Sequence, residues 1–184
     1  MSTPFDIIVG GMGDRLFGCA RAYADSHAKA HPERRVVYLT QGRRRELRAL
    51  VEAHPGVNVV GHSWGAADVS WAARVTGQRL GALIGVDGVA KPGRWRPFTP
   101  DARAVVSVRG TGSEGRLADG NVTAWLGRGI GHAFPESFRC EGVLRIDAPF
   151  AHYDMSRMMR WVDADGVSAE GILLGCDTGA AELV

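Results

Sequence analysis

The feature that most constrains the fold is a regular alternation between short β-branched or aliphatic runs and longer segments with helical periodicity. Strands that alternate with helices over short connections form parallel βαβ units. The sequence therefore predicts an α/β fold with a mostly parallel central sheet of about six strands and helices on both faces. The predicted strands are Asp6–Val9, Val36–Leu39, Val57–Val60, Leu83–Val86, Val105–Val108 and Val143–Ile146.

Helical spacing of apolar residues lies between several of these strands. A first pattern runs from Leu16 to His31, where Pro32 ends it, and an amphipathic pattern covers Arg43 to Ala53. A third follows the third strand to about Gly77, and a last helix is predicted over Met155 to Val162. In such sheets the functional groups gather at the carboxyl ends of the strands. We therefore expect the site at that edge.

Length and charge limit the possible classes of protein. With 184 residues, the chain has the size of one domain, which commonly holds about 100–200 residues. We predict a single domain over residues 1–184. Twenty-two Lys and Arg residues against 20 Asp and Glu residues give a net charge of +2, so there is no global electrostatic reason to bind nucleic acid or an anionic membrane.

Targeting and metal-binding patterns are missing from the sequence. The three cysteines are widely spaced without a CxxC pair, which supports neither a zinc site nor a disulfide framework. The first residues do not resemble a signal peptide, and no run of about 18 apolar residues indicates a membrane span. We therefore expect a cytoplasmic protein without a metal.

A strand, a tight turn and a helix start meet at Gly61-His62-Ser63-Trp64-Gly65, which fits the G-x-S-x-G pattern of a nucleophile elbow. Side chains at the two glycines would clash with the adjacent strand and helix. The turn exposes the serine hydroxyl and directs the Trp64 N–H to where a tetrahedral oxyanion would form. The rival interpretation is an ordinary strand-to-helix turn, with Ser63 as a helix N-cap.

A nucleophilic serine needs a histidine as base. His152 follows the last strand in a loop before a helix, which is the place and chain order expected for that base. His132, in a glycine-rich region, is a weaker candidate. The pattern predicts solvated side chains for the three histidines that precede the elbow, which are His27, His31 and His54.

The histidine in turn needs an acid that orients it and stabilises its charged form. Asp87 ends the strand that follows the elbow helix, and we favour it because a carboxylate directly after a buried strand is firmly held. Glu114 and Asp119, in the glycine-rich segment after the next strand, are the alternatives. Asp154 is close to His152 in sequence, but its position indicates a cap of the last helix.

A glycine-rich turn, Gly10-Gly11-Met12-Gly13, follows the first strand. Its backbone N–H groups are candidates for the second oxyanion donor, from Gly11 or Met12. The competing interpretation is a phosphate-binding loop of a dinucleotide site. The spacing does not fit G-x-G-x-x-G, and no acidic residue follows the second strand, so nucleotide binding is disfavoured.

Taken together, these residues resemble the α/β-hydrolase superfamily, which has an elbow serine, a strand-end acid and a histidine in this chain order. The resemblance covers roughly Asp6 to Val162 and implies a compact three-layer α/β-hydrolase-type sandwich. Asp87 is placed similarly to the acid of lipases in which it follows the strand after the nucleophile. Two features depart from the family. Gly10-Gly11 stands where many members have His-Gly, and the short chain leaves no room for a full lid domain.

The resemblance implies a small esterase or lipase-like serine hydrolase. It would cleave a carboxylic ester or thioester of a small-molecule substrate through an acyl-enzyme on Ser63, with no cofactor. Aromatic residues in Lys91–Pro100 and Trp125–Phe138 would form the substrate walls or belong to the core. Two other functions remain open: an acyltransferase that uses the same acyl-enzyme, and an inactive binding or accessory protein with this fold.

Overall fold

The computed structural model describes residues 3–12, 14–90, 97–112, 132–139 and 142–175. These residues form an α/β structure, and a short 3₁₀ helix covers Phe134–Ser137. The other elements, in chain order, are β1 (Phe5–Val9), α1 (Asp14–Phe17), α2 (Cys19–Ala30), β2 (Arg35–Leu39), α3 (Arg44–Ala53), β3 (Asn58–His62), α4 (Gly65–Thr76), β4 (Leu80–Val86), β5 (Val89–Ala90), β6 (Ala102–Gly110), β7 (His132–Ala133), β8 (Val143–Ala148), α5 (Met155–Arg160) and α6 (Ala169–Gly175).

The central sheet has six strands in the order β2-β1-β3-β4-β6-β8, and every pairing in it is parallel. The predicted α/β fold with about six mostly parallel strands is therefore confirmed. Strand β1 pairs with β2 on one side and β3 on the other, so the chain changes direction across the sheet at this point. Ligand sites of open α/β sheets lie outside the carboxyl ends of the strands at such a switch. The loop after β1 and the elbow after β3 both lie there.

Two hydrophobic layers cover the sheet. Helices α2, α5 and α6 pack on one face, and α3, α4 and the 3₁₀ helix pack on the other. The central strands β3 and β4 are buried along their whole length, as expected for a parallel sheet covered on both faces. Within the described residues, none of the helices combines the length and apolar character that a membrane crossing requires.

Some sequence expectations need correction. Helix α5 ends at Arg160 rather than Val162, because Trp161 has extended backbone angles. Strands β4 and β6 are longer than predicted, because β6 is paired on both sides and its ladder continues through polar residues such as Ser107. The short antiparallel pair of β5 and β7 was not predicted. His27 is fully buried instead of solvated, because its ring binds Asp6 and Glu170.

Candidate active site

The elbow around Ser63 is a sharp turn between β3 and α4. Ser63 has a left-handed backbone with φ of +52°, which costs a non-glycine residue roughly 1–2 kcal/mol. A Cβ at Gly61 would lie 2.6 Å from the backbone N of Ala66, and one at Gly65 would clash with the carbonyl oxygen of Val9. Both glycines are therefore required for strand, turn and helix to meet this closely.

Asp87 occupies the matching position at the end of the neighbouring strand. His62 and Val86 are paired across β3 and β4, so the residues that follow them, Ser63 and Asp87, lie at adjacent strand ends. The Ser63 N–H donates to Val86 O over 2.9 Å, and the Asp87 N–H donates to Val108 O over 2.7 Å. In the described part of the chain, Ser63 and Asp87 are the two non-glycine residues with positive φ. Such strain gathers at functional sites when the surrounding structure enforces it.

His152 lies between these two residues, in the loop that joins β8 to α5. Its Nδ1 is 2.5 Å from Asp87 Oδ2, and its Nε2 is 3.1 Å from Ser63 Oγ. The carboxylate only accepts, so Nδ1 carries the proton and Nε2 of the neutral ring is free to accept the serine hydroxyl proton. All three side chains are buried. The fully buried residues Met155 and Met158 of α5 anchor the chain that follows.

The predicted oxyanion donors lie next to the serine. Trp64 directly precedes α4, a 12-residue helix whose N-terminus carries a partial positive charge. A Cβ on Gly11 would lie 2.7 Å from Ser63 Cβ and 3.2 Å from Ser63 Oγ, so the glycine lets the loop after β1 lie against the nucleophile. Met12 follows it with its side chain exposed. Trp64 is thus adjacent to Ser63 in sequence and Gly11 in space, and Met12 directly follows Gly11.

Four other residues were alternatives for the acid, the base or a helix cap. Glu114 and Asp119 lie outside the described residues. His132 is part of the short strand β7. Asp154 stands at the N-cap position of α5, but its side chain makes no capping hydrogen bond and accepts from Arg157 instead, so the predicted cap is wrong in its contacts.

A partly buried polar cluster behind the site was not predicted. The His62 ring lies against the His152 ring, with centroids 4.8 Å apart, and its Nε2 is 2.7 Å from the His152 carbonyl oxygen. Cys19 Sγ lies 3.5 Å from His62 Nδ1 and 3.2 Å from Asp14 Oδ1. The same Asp14 carboxylate accepts from the Tyr38 hydroxyl. No sequence pattern links these residues, because they come from five different elements or loops.

Within the part of the chain that the structure describes, groups that could bind a metal come together in two places. Atoms of Asp14, Cys19 and His62 lie within 4.8 Å of one another, as do those of His27, His31 and Glu170. In the first group, burial and Asp14 raise the pKa of the Cys19 thiol to about 12, so the thiol is protonated near neutral pH. The expectation of a site without metal or cofactor stays a prediction.

The proposed aromatic walls and a cleft beside Asp87 are candidates for a substrate surface. Of the proposed aromatic walls, Phe134 and Phe138 belong to the hydrophobic core. A cleft of about 360 Å³ beside Asp87 has a charged lining, but neither Ser63 nor His152 lines it, so we do not assign the substrate to it. Polar residues in its lining include Ser107, Arg109, Glu136, Arg145 and Asp147.

Exposed apolar side chains lie on the side of α1. Met12, Leu16 and Phe17 have exposures of 58%, 86% and 60%. Phe17 stacks on Tyr153, the neighbour of His152, with ring centroids 4.5 Å apart. We call Met12, Leu16 and Phe17 the apolar rim. Its Met12 follows Gly11, which lies against Ser63, and its Phe17 contacts Tyr153, which follows His152.

Comparison with known proteins adds no relative. No protein-family model matches the chain, and neither the curated proteins nor the solved structures include a significant match.

Proposed function

We propose that the chain is a serine hydrolase of the α/β-hydrolase type that cleaves a carboxylic ester or thioester. The observation that carries the proposal is the continuous hydrogen-bonded series from Asp87 through His152 to Ser63, with distances of 2.5 and 3.1 Å. An elbow serine, an oriented imidazole and a buried acid have the roles of a catalytic triad. The strained φ of Ser63 and the parallel sheet support the same assignment.

In the first half of the reaction, Ser63 Oγ attacks the acyl carbon while His152 Nε2 takes the hydroxyl proton. Asp87 stabilises the imidazolium that forms. The electron pair of the carbonyl moves to its oxygen, and the N–H groups of Trp64 and of Gly11 or Met12 stabilise this negative charge. Collapse of the intermediate expels the alkoxide or thiolate, which takes the proton from His152. The acyl group is now bound to Ser63.

The second half reverses these roles with water. His152 Nε2 removes a proton from a water molecule, whose oxygen attacks the acyl carbon. The same N–H groups stabilise the second tetrahedral intermediate. Its collapse breaks the bond to Ser63 Oγ, which regains a proton from His152, and the carboxylic acid leaves. No redox step or metal is needed in this sequence of steps.

The apolar rim supports an apolar acyl group as the substrate class. Met12, Leu16 and Phe17 expose large apolar side chains to water. Met12 follows Gly11, which lies against Ser63, and Phe17 stacks on Tyr153, the neighbour of His152. Each methylene of a bound acyl chain that is removed from water contributes roughly 0.8 kcal/mol to the free energy of binding. A neutral chain also suits a protein with a net charge of only +2. We therefore propose that an acyl chain lies across the rim.

A panel of p-nitrophenyl esters and acyl-thioesters of graded chain length tests this function. We expect hydrolysis by the wild type, with kcat/KM rising over the first methylenes, and no turnover by Ser63→Ala. A run with added alcohol or amine separates hydrolysis from acyl transfer, because a transferase forms the new ester or amide at the expense of the free acid. Absence of turnover with every substrate, together with no labelling by an active-site phosphonate, would contradict the proposal.

A further inference from the structure

His62 contacts the proposed base rather than the nucleophile. The His62 side chain is 1% exposed and lies between the base and the cluster formed by Asp14, Cys19 and Tyr38. Its Nε2 is 2.7 Å from the backbone carbonyl oxygen of His152. A carbonyl can only accept, so the ring donates, and its single proton in the neutral form lies on Nε2.

The neutral form is the one expected near neutral pH. Burial, together with the adjacent His152, lowers the pKa of His62 to about 4. The ring therefore adds no charge and no competing acid beside the proposed triad. Its one N–H is committed to the His152 carbonyl, and Nδ1 faces the Cys19 thiol at 3.5 Å.

The other side of the ring is held by groups that cannot easily move. Asp14 accepts through Oδ1 from the Ala20 N–H over 2.7 Å. This N–H lies in the first turn of α2, where backbone N–H groups have no partner within the helix. Asp14 accepts through the same oxygen from the Cys19 thiol over 3.2 Å. Through Oδ2 it accepts from the Tyr38 hydroxyl at the end region of β2. The cluster thus ties the ring to α2 and to the sheet.

His152 itself lies in a loop without regular secondary structure, between the end of β8 at Ala148 and the start of α5 at Met155. Asp87 holds only its imidazole. On either side of His152, the Gly112 N–H donates to Phe150 O and the Asp154 N–H donates to Ala151 O. At His152 itself, the main-chain carbonyl accepts the hydrogen bond from His62, at the end of β3. Because Ser63 follows His62 directly, this bond couples the backbone of the base to the strand that carries the nucleophile.

We infer that His62 is a positioning residue, whose N–H fixes the His152 loop so that the imidazole stays within proton-transfer distance of Ser63. The inference rests on the proposed function, because positioning matters only if His152 acts as a base. A positioning role gives a chemical reason for a histidine at the second position of the elbow, Gly61-His62-Ser63-Trp64-Gly65. A displacement of about 1 Å at such a site can cost on the order of 10²-fold in rate.

The test compares His62→Phe, which keeps a flat ring but has no N–H, with His62→Gln, whose amide can donate at a similar reach. His54→Phe is the matched control, because His54 lies at the far end of α3 against Phe5. Ser63 labelling by a fluorophosphonate and steady-state ester hydrolysis are measured for all four proteins. We expect His62→Phe to lower the labelling rate and kcat roughly 10- to 100-fold, with KM changed by less than about threefold. His62→Gln recovers most of the loss, and His54→Phe leaves both rates unchanged.

A spectroscopic readout separates positioning from packing. The short contact between His152 Nδ1 and Asp87 predicts a low-field NMR resonance for the proton between them, which can be read without substrate. We expect it in the wild type, His62→Gln and His54→Phe, and expect it to broaden or shift in His62→Phe at a temperature where that variant is folded. Wild-type rates in His62→Phe, or equal losses in His62→Phe and His62→Gln, would overturn the inference.

The two proposals fail in different ways. If the wild type is neither labelled nor active, the proposed function fails, and the positioning role fails with it. If the wild type is labelled and hydrolyses esters while His62→Phe matches it, the proposed function stands and only the role of His62 is lost.

Discussion

Two buried Asp–His pairs lie at opposite ends of the sheet, and they differ in what the second histidine nitrogen faces. At the carboxyl ends of the strands, His152 binds Asp87 through Nδ1 and faces the Ser63 hydroxyl through Nε2. At the amino ends, His27 binds Asp6 through Nε2 and Glu170 through Nδ1. Both rings are almost completely buried. One ring bridges an acid and a hydroxyl, and the other bridges two acids.

The acids are also held differently. Asp6 accepts from Arg34 through two nitrogens, at 2.6 and 2.7 Å, and from Asn58 at 2.8 Å. Burial by itself would raise the pKa of Asp6, but these hydrogen bonds and the one from His27 hold it below its ordinary value. Burial would lower the pKa of His27, yet its bonds to Asp6 and Glu170 raise it above the ordinary value.

The difference shows that a buried Asp–His pair is not in itself a catalytic feature. In the amino-end pair, both histidine nitrogens face carboxylates, and Asp6 also binds Arg34. These contacts connect α2, β1 and α6, so the pair has a structural role. The carboxyl-end pair leaves its second nitrogen beside a hydroxyl on a strained turn. Only the second arrangement can move a proton to a reacting group.

The largest expected effect comes from the two side chains that we propose as nucleophile and base. Ser63→Ala and His152→Ala should each lower kcat for ester hydrolysis on the order of 10⁴- to 10⁶-fold, because each removes a group that takes part in bond formation. Ser70→Ala is the control, since this buried hydroxyl of α4 donates to Ala66 O away from the triad. Circular dichroism checks the fold. Activity above one-tenth of wild type in either triad variant would contradict the assignment.

Substitutions of the two buried acids, Asp87 and Asp6, should affect different properties of the protein. Asp87→Asn should lower kcat about 10⁴-fold, because the amide no longer holds the productive tautomer of His152. Asp6→Asn should leave kcat unchanged but lower the free energy of unfolding by about 3–5 kcal/mol, because it breaks a buried pair with Arg34. Urea denaturation and steady-state kinetics measure both. If Asp87→Asn is active while Glu114→Gln or Asp119→Asn is not, the acid has been assigned to the wrong residue.

The pH dependence of stability tests the amino-end cluster. The pKa of His27 is raised above its ordinary 6.5, so its contribution is fully present below that pH and is lost as pH rises through the folded-state value. The pKa values of Asp6 and Glu170 are lowered, so their contributions are present above the ordinary 3.8 and 4.5 and are lost as pH falls. His27→Gln should cost about 1–3 kcal/mol near pH 6. The difference in free energy of unfolding from wild type should shrink as pH rises, and a constant difference would contradict this.

The smallest expected effect concerns the apolar rim. Leu16→Ser and Phe17→Ser should each lower kcat/KM for long-chain esters about threefold to tenfold while sparing acetate esters, because less apolar surface covers the chain. Val75→Ser and Val162→Ser are matched controls, because these valines are also exposed, at 41% and 53%. Equal losses on short and long esters would place the acyl chain elsewhere.

The sequence allowed prediction of features that depend on residues close together in the chain. The elbow could be predicted because Gly61 and Gly65 must lack side chains for β3 and α4 to meet, and Asp87 because it ends an apolar run. The buried polar contacts could not be predicted. His27 shares the helical spacing of the buried residues Ala20 and Tyr23, but a histidine on a helix was expected to be solvated. Only the fold brings Glu170, 143 residues away, to its ring. His62 and Cys19 meet across 43 residues in the same way.

The most direct test of the central claim is covalent labelling of folded protein with a fluorophosphonate, read by intact mass and peptide mapping. We expect one adduct per chain, located on Ser63. The adduct should be absent in Ser63→Ala, form much more slowly in His152→Ala, and form at the wild-type rate in Ser70→Ala. A folded wild-type protein that gains no adduct, or gains it on another residue, would contradict the claim that Ser63 is an activated nucleophile.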